Sequence, residues 1–166
     1  MSEISMGVYG DDNGCSTHRP TFTFARAKLL LASVGITITD PAKTGEVFDF
    51  QPDEDLSFLK RGWVPCEKYG FANEGIMFAP IEMDTIHKML LVHMKTSEDD
   101  DTYMLSRNRS ACDLMFHHGP EKYEHFRQLC IENIKERTWL TNADECFPSF
   151  DELFERNYGE PPIKLE

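Results

Sequence analysis

The pattern of the chain changes once, at Pro80, and that change limits the folds open to it. Before Pro80 come short, partly alternating segments separated by turn formers. After it come longer stretches with helical spacing. Residues 4–9 are followed by Gly10-Asp11-Asp12-Asn13-Gly14 and then by 15–18, which predicts a tight β-hairpin. Two turns compete for it, Gly10-Asp11 as a type II′ pair and Asn13-Gly14 as a type I′ pair, and the residues leave both open. Either way the aspartates stand at or beside a hairpin tip. Residues 21–34 carry Phe24, Ala27, Leu30, Leu31 and Val34 at helical spacing, with Gly35 placed as a C-terminal cap, so a helix with a buried face is expected. Alternating β-branched residues predict a strand over 36–39, ended by Asp40-Pro41. A loop follows over 45–55. A second hairpin is expected from 56–64 and 75–79, anchored by buried Phe58 and Trp63.

Beyond Pro80 the spacing predicts helices over 84–94 and 102–117, the second stopping at Gly119. Pro120 then opens a helix to about Arg137, and a short one covers 149–157 with Phe150, Leu153 and Phe154 on one face. The expected class is α+β, with residues 1–80 as a mixed part and 81–166 as a helical part.

Composition narrows the functional classes. Hydrophobic residues make up 40% and charged residues 28%, the balance of a soluble globular protein. No apolar run approaches the roughly 20 residues that cross a bilayer, and Met1-Ser2-Glu3-Ile4-Ser5 lacks the basic start and apolar core of a signal, so no direct membrane insertion is expected. The five cysteines, Cys15, Cys66, Cys112, Cys130 and Cys146, show no C-x-x-C spacing, and reduced thiols are the expected state. The net charge of −12 argues against unspecific coating of nucleic acid, which needs Lys and Arg to displace counterions. The acid is uneven, however. It concentrates in Asp53-Glu54-Asp55, in Glu98-Asp99-Asp100-Asp101 and from Asp144 onward, so a local basic face is compatible with an acidic whole.

Two adjacent carboxylates beside a hairpin tip form a hard, oxygen-only donor set of the kind Mg²⁺ accepts while keeping waters and substrate phosphates in its shell. An EF-hand is excluded, because with Gly14 as the loop glycine the first and last ligand positions fall on Tyr9 and Pro20. Tyr9-Gly10-Asp11-Asp12 within strand, turn and strand resembles motif C of positive-strand RNA virus polymerases. Further segments match in the same order. Gly35-Ile36-Thr37-Ile38-Thr39-Asp40-Pro41-Ala42-Lys43-Thr44 is similar to motif D, and Phe58-Leu59-Lys60-Arg61 resembles motif E, the primer-grip hairpin. Ala79-Pro80-Ile81 and Phe116-His117-His118-Gly119 resemble thumb segments. The chain is identified as a member of the picornavirus-like RNA-dependent RNA polymerases, with the resemblance strongest over 8–61.

That resemblance implies a palm fragment over 1–80 and a thumb over 81–166. It implies that Asp11 ligates catalytic Mg²⁺, with Mn²⁺ able to substitute, and that Asp12 lies at the metal site. Lys43 occupies the place of the motif D lysine, proposed in the family as the general acid for the departing diphosphate. Tyr9, Gly10, Asn13, Lys60 and Arg61 would meet primer, template or incoming nucleoside triphosphate. Lys88, Lys95, Arg107 and Arg109 are the thumb cations in reach of product RNA. Histidines 87, 93, 117, 118 and 125, with Cys112 and Cys130, lack paired zinc-ligand spacing, and helix ends and faces are their expected places.

Family members draw a further aspartate from motif A and a nucleotide-selecting segment from motif B, and neither is present. The expected partners are therefore RNA template and primer, nucleoside triphosphates, and the fingers and remaining palm of a longer parent. The 166 residues alone are expected to be inactive. The expected location is host cytoplasm, in replication complexes on membranes. The alternative is a non-catalytic, polymerase-derived acidic domain that binds a protein or RNA.

Overall fold

The structure is a computed structural model that describes residues 4–10, 12–52, 55–92, 95, 97–137 and 142–165. It divides into two compact units, Met1–Gly62 and Trp63–Glu166. Both small antiparallel sheets and all the helices fall within the α+β class.

In the first unit, β1 (Ile4–Tyr9) pairs with β2 (Asp12–Thr17), and Tyr9 stands opposite Asp12. This register decides between the two turns. Asn13 and Gly14 pair with Val8 and Gly7 inside the ladder, so they do not form the turn, and Gly10 takes the positive φ of +60° that a primed hairpin needs. Asp11 lies outside the described residues.

Helix α1 (Phe24–Ser33) starts where Thr23 accepts a hydrogen bond from the Arg26 N–H at 3.2 Å, an N-cap that the broader 21–34 expectation passed over. Its first amides are satisfied by the loop beyond it: Phe24 N–H donates to Asp49 O and Ala25 N–H to Phe48 O, both at 3.1 Å. The Phe24 and Phe48 rings stack 4.5 Å apart. The expected buried face is not realised. No residue of α1 is buried, Leu30 is 63% exposed, and Val34, just past the helix, is 70% exposed. One helix, one two-stranded ribbon and loops do not supply enough apolar surface to cover it.

The strand expected over 36–39 also does not form. Gly35, at φ +81°, turns the chain back so that Ile36 N–H donates to Leu31 O at 2.9 Å. That amide is spent on closing the helix, and no neighbouring strand is present among the described residues to pair with the rest.

The hairpin expected from 56–64 and 75–79 is replaced by two separate devices. Phe58 and Arg61 exchange two backbone hydrogen bonds of 3.0 Å around Leu59 and Lys60, which both have positive φ, +54° and +62°. That is a two-residue type I′ turn. In the second unit, β3 (Val64–Pro65) pairs with β4 (Met77–Phe78) around a single 3₁₀ turn, Cys66–Tyr69. Trp63 is 40% exposed and anchors nothing in a core; Phe58 is half-buried.

The second unit holds the core. Helices α2 (Met83–Leu91), α3 (Asp100–Met115), α4 (Pro120–Arg137) and α5 (Phe150–Tyr158) surround a cluster that includes Phe78, Phe116, Tyr123, Phe150 and Phe154. The turn and β4 belong to this cluster through Cys66 and Phe78, Val64 of β3 packs against it, and Phe71 joins it from the segment between the turn and β4. The unit boundary therefore falls after Gly62 and not near residue 80. The expected start at Thr102 moves back to Asp100, because Asp99 caps α3 by accepting from Thr102 N–H at 2.9 Å. The expected end of α2 at Met94 moves to Leu91, and His93 and Met94 lie outside the described residues. Ser149 and Glu152 form a reciprocal capping box that starts α5.

Between α3 and α4 lie a 3₁₀ turn, Phe116–His118, and Gly119 at φ +93°. A Cβ on Gly119 would stand 2.6 Å from Tyr69 Cδ1, so the residue has to be glycine for space as well as for backbone. A last extended segment closes the unit. Ala72 N–H donates to Ile163 O and Leu165 N–H to Gly70 O, while the buried Asn73 side chain bonds Glu160, Pro161 and the Ile163 amide.

Candidate metal and nucleotide site

The hairpin register sorts its side chains onto two faces. Pairs directly opposite share a face and alternate along the ribbon. Tyr9 with Asp12, Gly7 with Gly14, and Ser5 with Ser16 lie on one; Val8 with Asn13, Met6 with Cys15, and Ile4 with Thr17 lie on the other. The face that carries Asp12 thus continues into a glycine pair, which adds no side chain of its own beside the carboxylate. A Cβ at Gly7 would meet nothing within 4 Å. Asp12 is exposed, and its carboxylate has no hydrogen-bond partner among the described residues. Its oxygens are free to take a hard cation. Of the sequence-derived substrate residues, Tyr9 and Gly10 are exposed beside it, while Asn13 is exposed on the opposite face of the ribbon. Among the described residues no group of three or more His, Cys, Asp or Glu side chains converges on one point, so a cation at Asp12 would need ligands beyond those that the described residues bring together.

Phe58 connects the Leu59-Lys60 turn to this ribbon: its Cδ2 lies 3.9 Å from where a Cβ on Gly14 would sit. Lys60 is exposed at the turn and Arg61 is half-buried next to it. Lys43 is exposed too, with φ +56°. Its loop is built on Asp40, which the sequence marks as the end of a strand and as a position of the motif D segment, with no role of its own. Asp40 is 3% exposed, in a unit where almost everything else is open. Its Oδ1 accepts from Thr44 N–H at 3.0 Å and from the Thr44 hydroxyl at 3.2 Å, and its Oδ2 accepts from Gly45 N–H at 2.7 Å. The Thr44 amide, with these other donors, holds its carboxyl below the usual carboxylate range. The signal was an acid followed by Pro and, four and five residues on, by Thr and Gly: an acceptor, a turn and two donors.

In the helical unit the cations divide. Arg107 turns inward, where both Nε and Nη2 donate to Met89 O and the guanidinium lies 5.1 Å from the Tyr103 ring centroid. It ties α2 to α3 and does not reach outward as an RNA contact. Lys88 forms an exposed ion pair with Asp84 at 3.8 Å, and Lys95 and Arg109 are exposed.

The histidines of Phe116-His117-His118-Gly119 have structural tasks. His117 Nδ1 accepts from Ala79 N–H at 3.3 Å, and His118 Nε2 is 2.9 Å from Ile81 O. These bonds join the two segments that the sequence matched separately to thumb elements. Burial, with Lys122 adding to it, pushes the His118 pKa below its ordinary value. A base with a lowered folded pKa binds fewer protons folded than unfolded, so its contribution is complete above the unfolded value and is lost as the pH falls. Chain stability is expected to drop as pH falls below about 6.5, and His118→Gln should flatten that part of the profile. The same slope in both proteins by urea unfolding would assign it to other groups.

No protein-family model matches this chain. Individual relatives do. The RNA1 polyprotein of Red clover mottle virus is 32% identical over 146 residues, covering 85% of this chain and 7% of the polyprotein. That of Andean potato mottle virus is 30% identical over 147 residues, 86% of this chain and 19% of its own length. The replicase polyprotein of Drosophila C virus is 28% identical over 132 residues, 77% of this chain. The chain is homologous to a segment of the RNA1 and replicase polyproteins of picorna-like viruses. It spans less than a fifth of the length of these three relatives. In fold it is similar to the Sicinivirus 3Dpol RNA-dependent RNA polymerase, with a TM-score of 0.64 at 18% identity, covering 92% of this chain and 30% of that one. The chain therefore has the fold of about 30% of that polymerase chain. Among its described residues no helix is long and apolar enough to cross a membrane.

Proposed function

We propose that this viral segment is the later part of the palm and the thumb of an RNA-directed RNA polymerase, which transfers nucleotides from nucleoside triphosphates to an RNA 3′ end in the host cytoplasm. The observation that carries this reading is the polymerase fold over 92% of the chain, on which the Tyr9-Gly10-Asp11-Asp12 hairpin, the Lys43 loop and the Phe58 to Arg61 turn follow in the family's order. Asp11 and Asp12 would hold Mg²⁺ or Mn²⁺, in a two-metal arrangement with ligands from the remaining palm. The ions would lower the charge barrier between attacking oxygen and triphosphate. The chain's own residues do the rest. Lys43 offers a proton and a positive charge to the leaving diphosphate, roles that strengthen in the transition state. Lys60 and Arg61 bear on the primer backbone, Tyr9 and Gly10 line the ground beside the metal, and Asn13 would meet substrate from the opposite face of the hairpin. The helical unit packs against the product duplex through phosphates and riboses. In the infected cell the parent would work in replication complexes on membranes, attached through partners.

A full-length polymerase containing these residues should extend a primer on an RNA template with Mg²⁺ or Mn²⁺. A parent that binds RNA yet incorporates no nucleotide with either ion would overturn the catalytic reading and leave a non-catalytic binding domain. These 166 residues alone, which supply one acidic pair, should show no extension.

A further inference from the structure

Lys43 needs a particular backbone to present its ammonium, and that backbone is an unfavourable one. A side-chain-bearing residue at φ +56° sits in the left-handed region, disfavoured by roughly 1–2 kcal/mol against the right-handed one. Something in the surroundings has to impose it. On the N-terminal side, Lys43 N–H donates to Asp40 O at 3.0 Å. On the C-terminal side, the Asp40 carboxylate takes the Thr44 amide, the Thr44 hydroxyl and the Gly45 amide at 2.7–3.2 Å. One residue therefore clamps the backbone on both sides of Lys43, and no other charged residue among the described ones is buried as it is. A neutral isostere keeps part of the clamp, because the Asn oxygen accepts where its NH₂ would face an N–H donor.

We propose that Asp40 is the positioning residue of the nucleotidyl transfer site: its ionised carboxylate, closed over Thr44 and Gly45, fixes the loop that aims the Lys43 ammonium at the leaving diphosphate. This rests on the acid role assigned to Lys43 above. Asp40 itself touches no substrate.

The test is a double-mutant cycle in the full-length polymerase, read by single-turnover incorporation against pH. Lys43→Leu should slow incorporation and alter the pH profile. Asp40→Ala should slow it roughly ten- to a hundredfold with the same change in profile, Asp40→Asn less so, and Asp40→Ala with Lys43→Leu should be no slower than Lys43→Leu alone. Trypsin cleavage after Lys43 should speed up in Asp40→Ala, reporting the loosened loop without reference to catalysis. Should Asp40→Ala misfold, Asp40→Asn carries the same cycle. A slow Lys43→Leu beside Asp40 variants at wild-type rate, or fully additive losses, would overturn the positioning role alone. A Lys43→Leu enzyme with wild-type rate and profile would overturn the acid role, and the positioning role with it.

Discussion

Asp11→Asn in a full-length polymerase containing these residues is expected to lower RNA-templated incorporation roughly a thousandfold or more, a barrier increase of about 4 kcal/mol. The substitution keeps size and one oxygen donor while removing the charge that offsets a divalent cation. Phosphoryl chemistry leaves the protein little to do besides position groups and neutralise charge, so a lost metal ligand acts directly on the transition state. RNA binding should change little, which separates loss of the metal site from loss of fold. Asp12→Asn is expected to be milder, since the resemblance places it beside the metal and not as the principal ligand. Steady incorporation by Asp11→Asn within about threefold of wild type would remove it from the metal site.

The largest stability effect is expected at Phe116. Its ring stacks on Phe150 at 4.7 Å and meets Phe78 at 5.4 Å, with Tyr123 and Tyr158 both at 6.2 Å. It is fully buried, and it starts the turn that carries His117 and His118 to the Ala79-Pro80-Ile81 segment. Phe116→Ala removes a large buried ring where neighbours on four sides are themselves rigid aromatics that cannot collapse into the gap, so about 3–5 kcal/mol should be lost. Native domains hold about 5–15 kcal/mol in all, so much of the 166-residue chain population would lie near its unfolding transition. Urea titration followed by far-UV circular dichroism checks this. A loss below about 1 kcal/mol would mean that the core repacks around the hole.

How much of this was readable in advance depends on the range of the interaction. The β1–β2 hairpin and helices α3, α4 and α5 are written in local terms, as turn formers, alternation, caps and a Pro120 start, and the structure places them close to the expected limits. Residues 36–39 were misread because a strand needs a neighbour that no local pattern supplies, and the Ile36 amide instead closes α1. Leu30 and Val34 were assigned to a buried face on periodicity alone, which tells where an apolar stripe lies and not whether anything covers it. Trp63 failed for the same reason. At the site, the Tyr9 to Asp12 motif and Lys43 were legible as a resemblance. Asp40 was legible only as an acid ahead of a Thr and a Gly, because the three hydrogen bonds its carboxylate takes exist only once the loop has folded.

The left-handed backbone at Lys43, Leu59 and Lys60 has a consequence for sequence drift. These are the only non-glycine residues with positive φ among the described ones, and they fall in the two segments matched to motifs D and E. Each would gain roughly 0.5–1 kcal/mol of backbone relief from glycine. A lineage under pressure for thermal stability alone would thus trade those side chains away. Variants selected for heat tolerance and for replication should diverge at these positions before they diverge in the aromatic core.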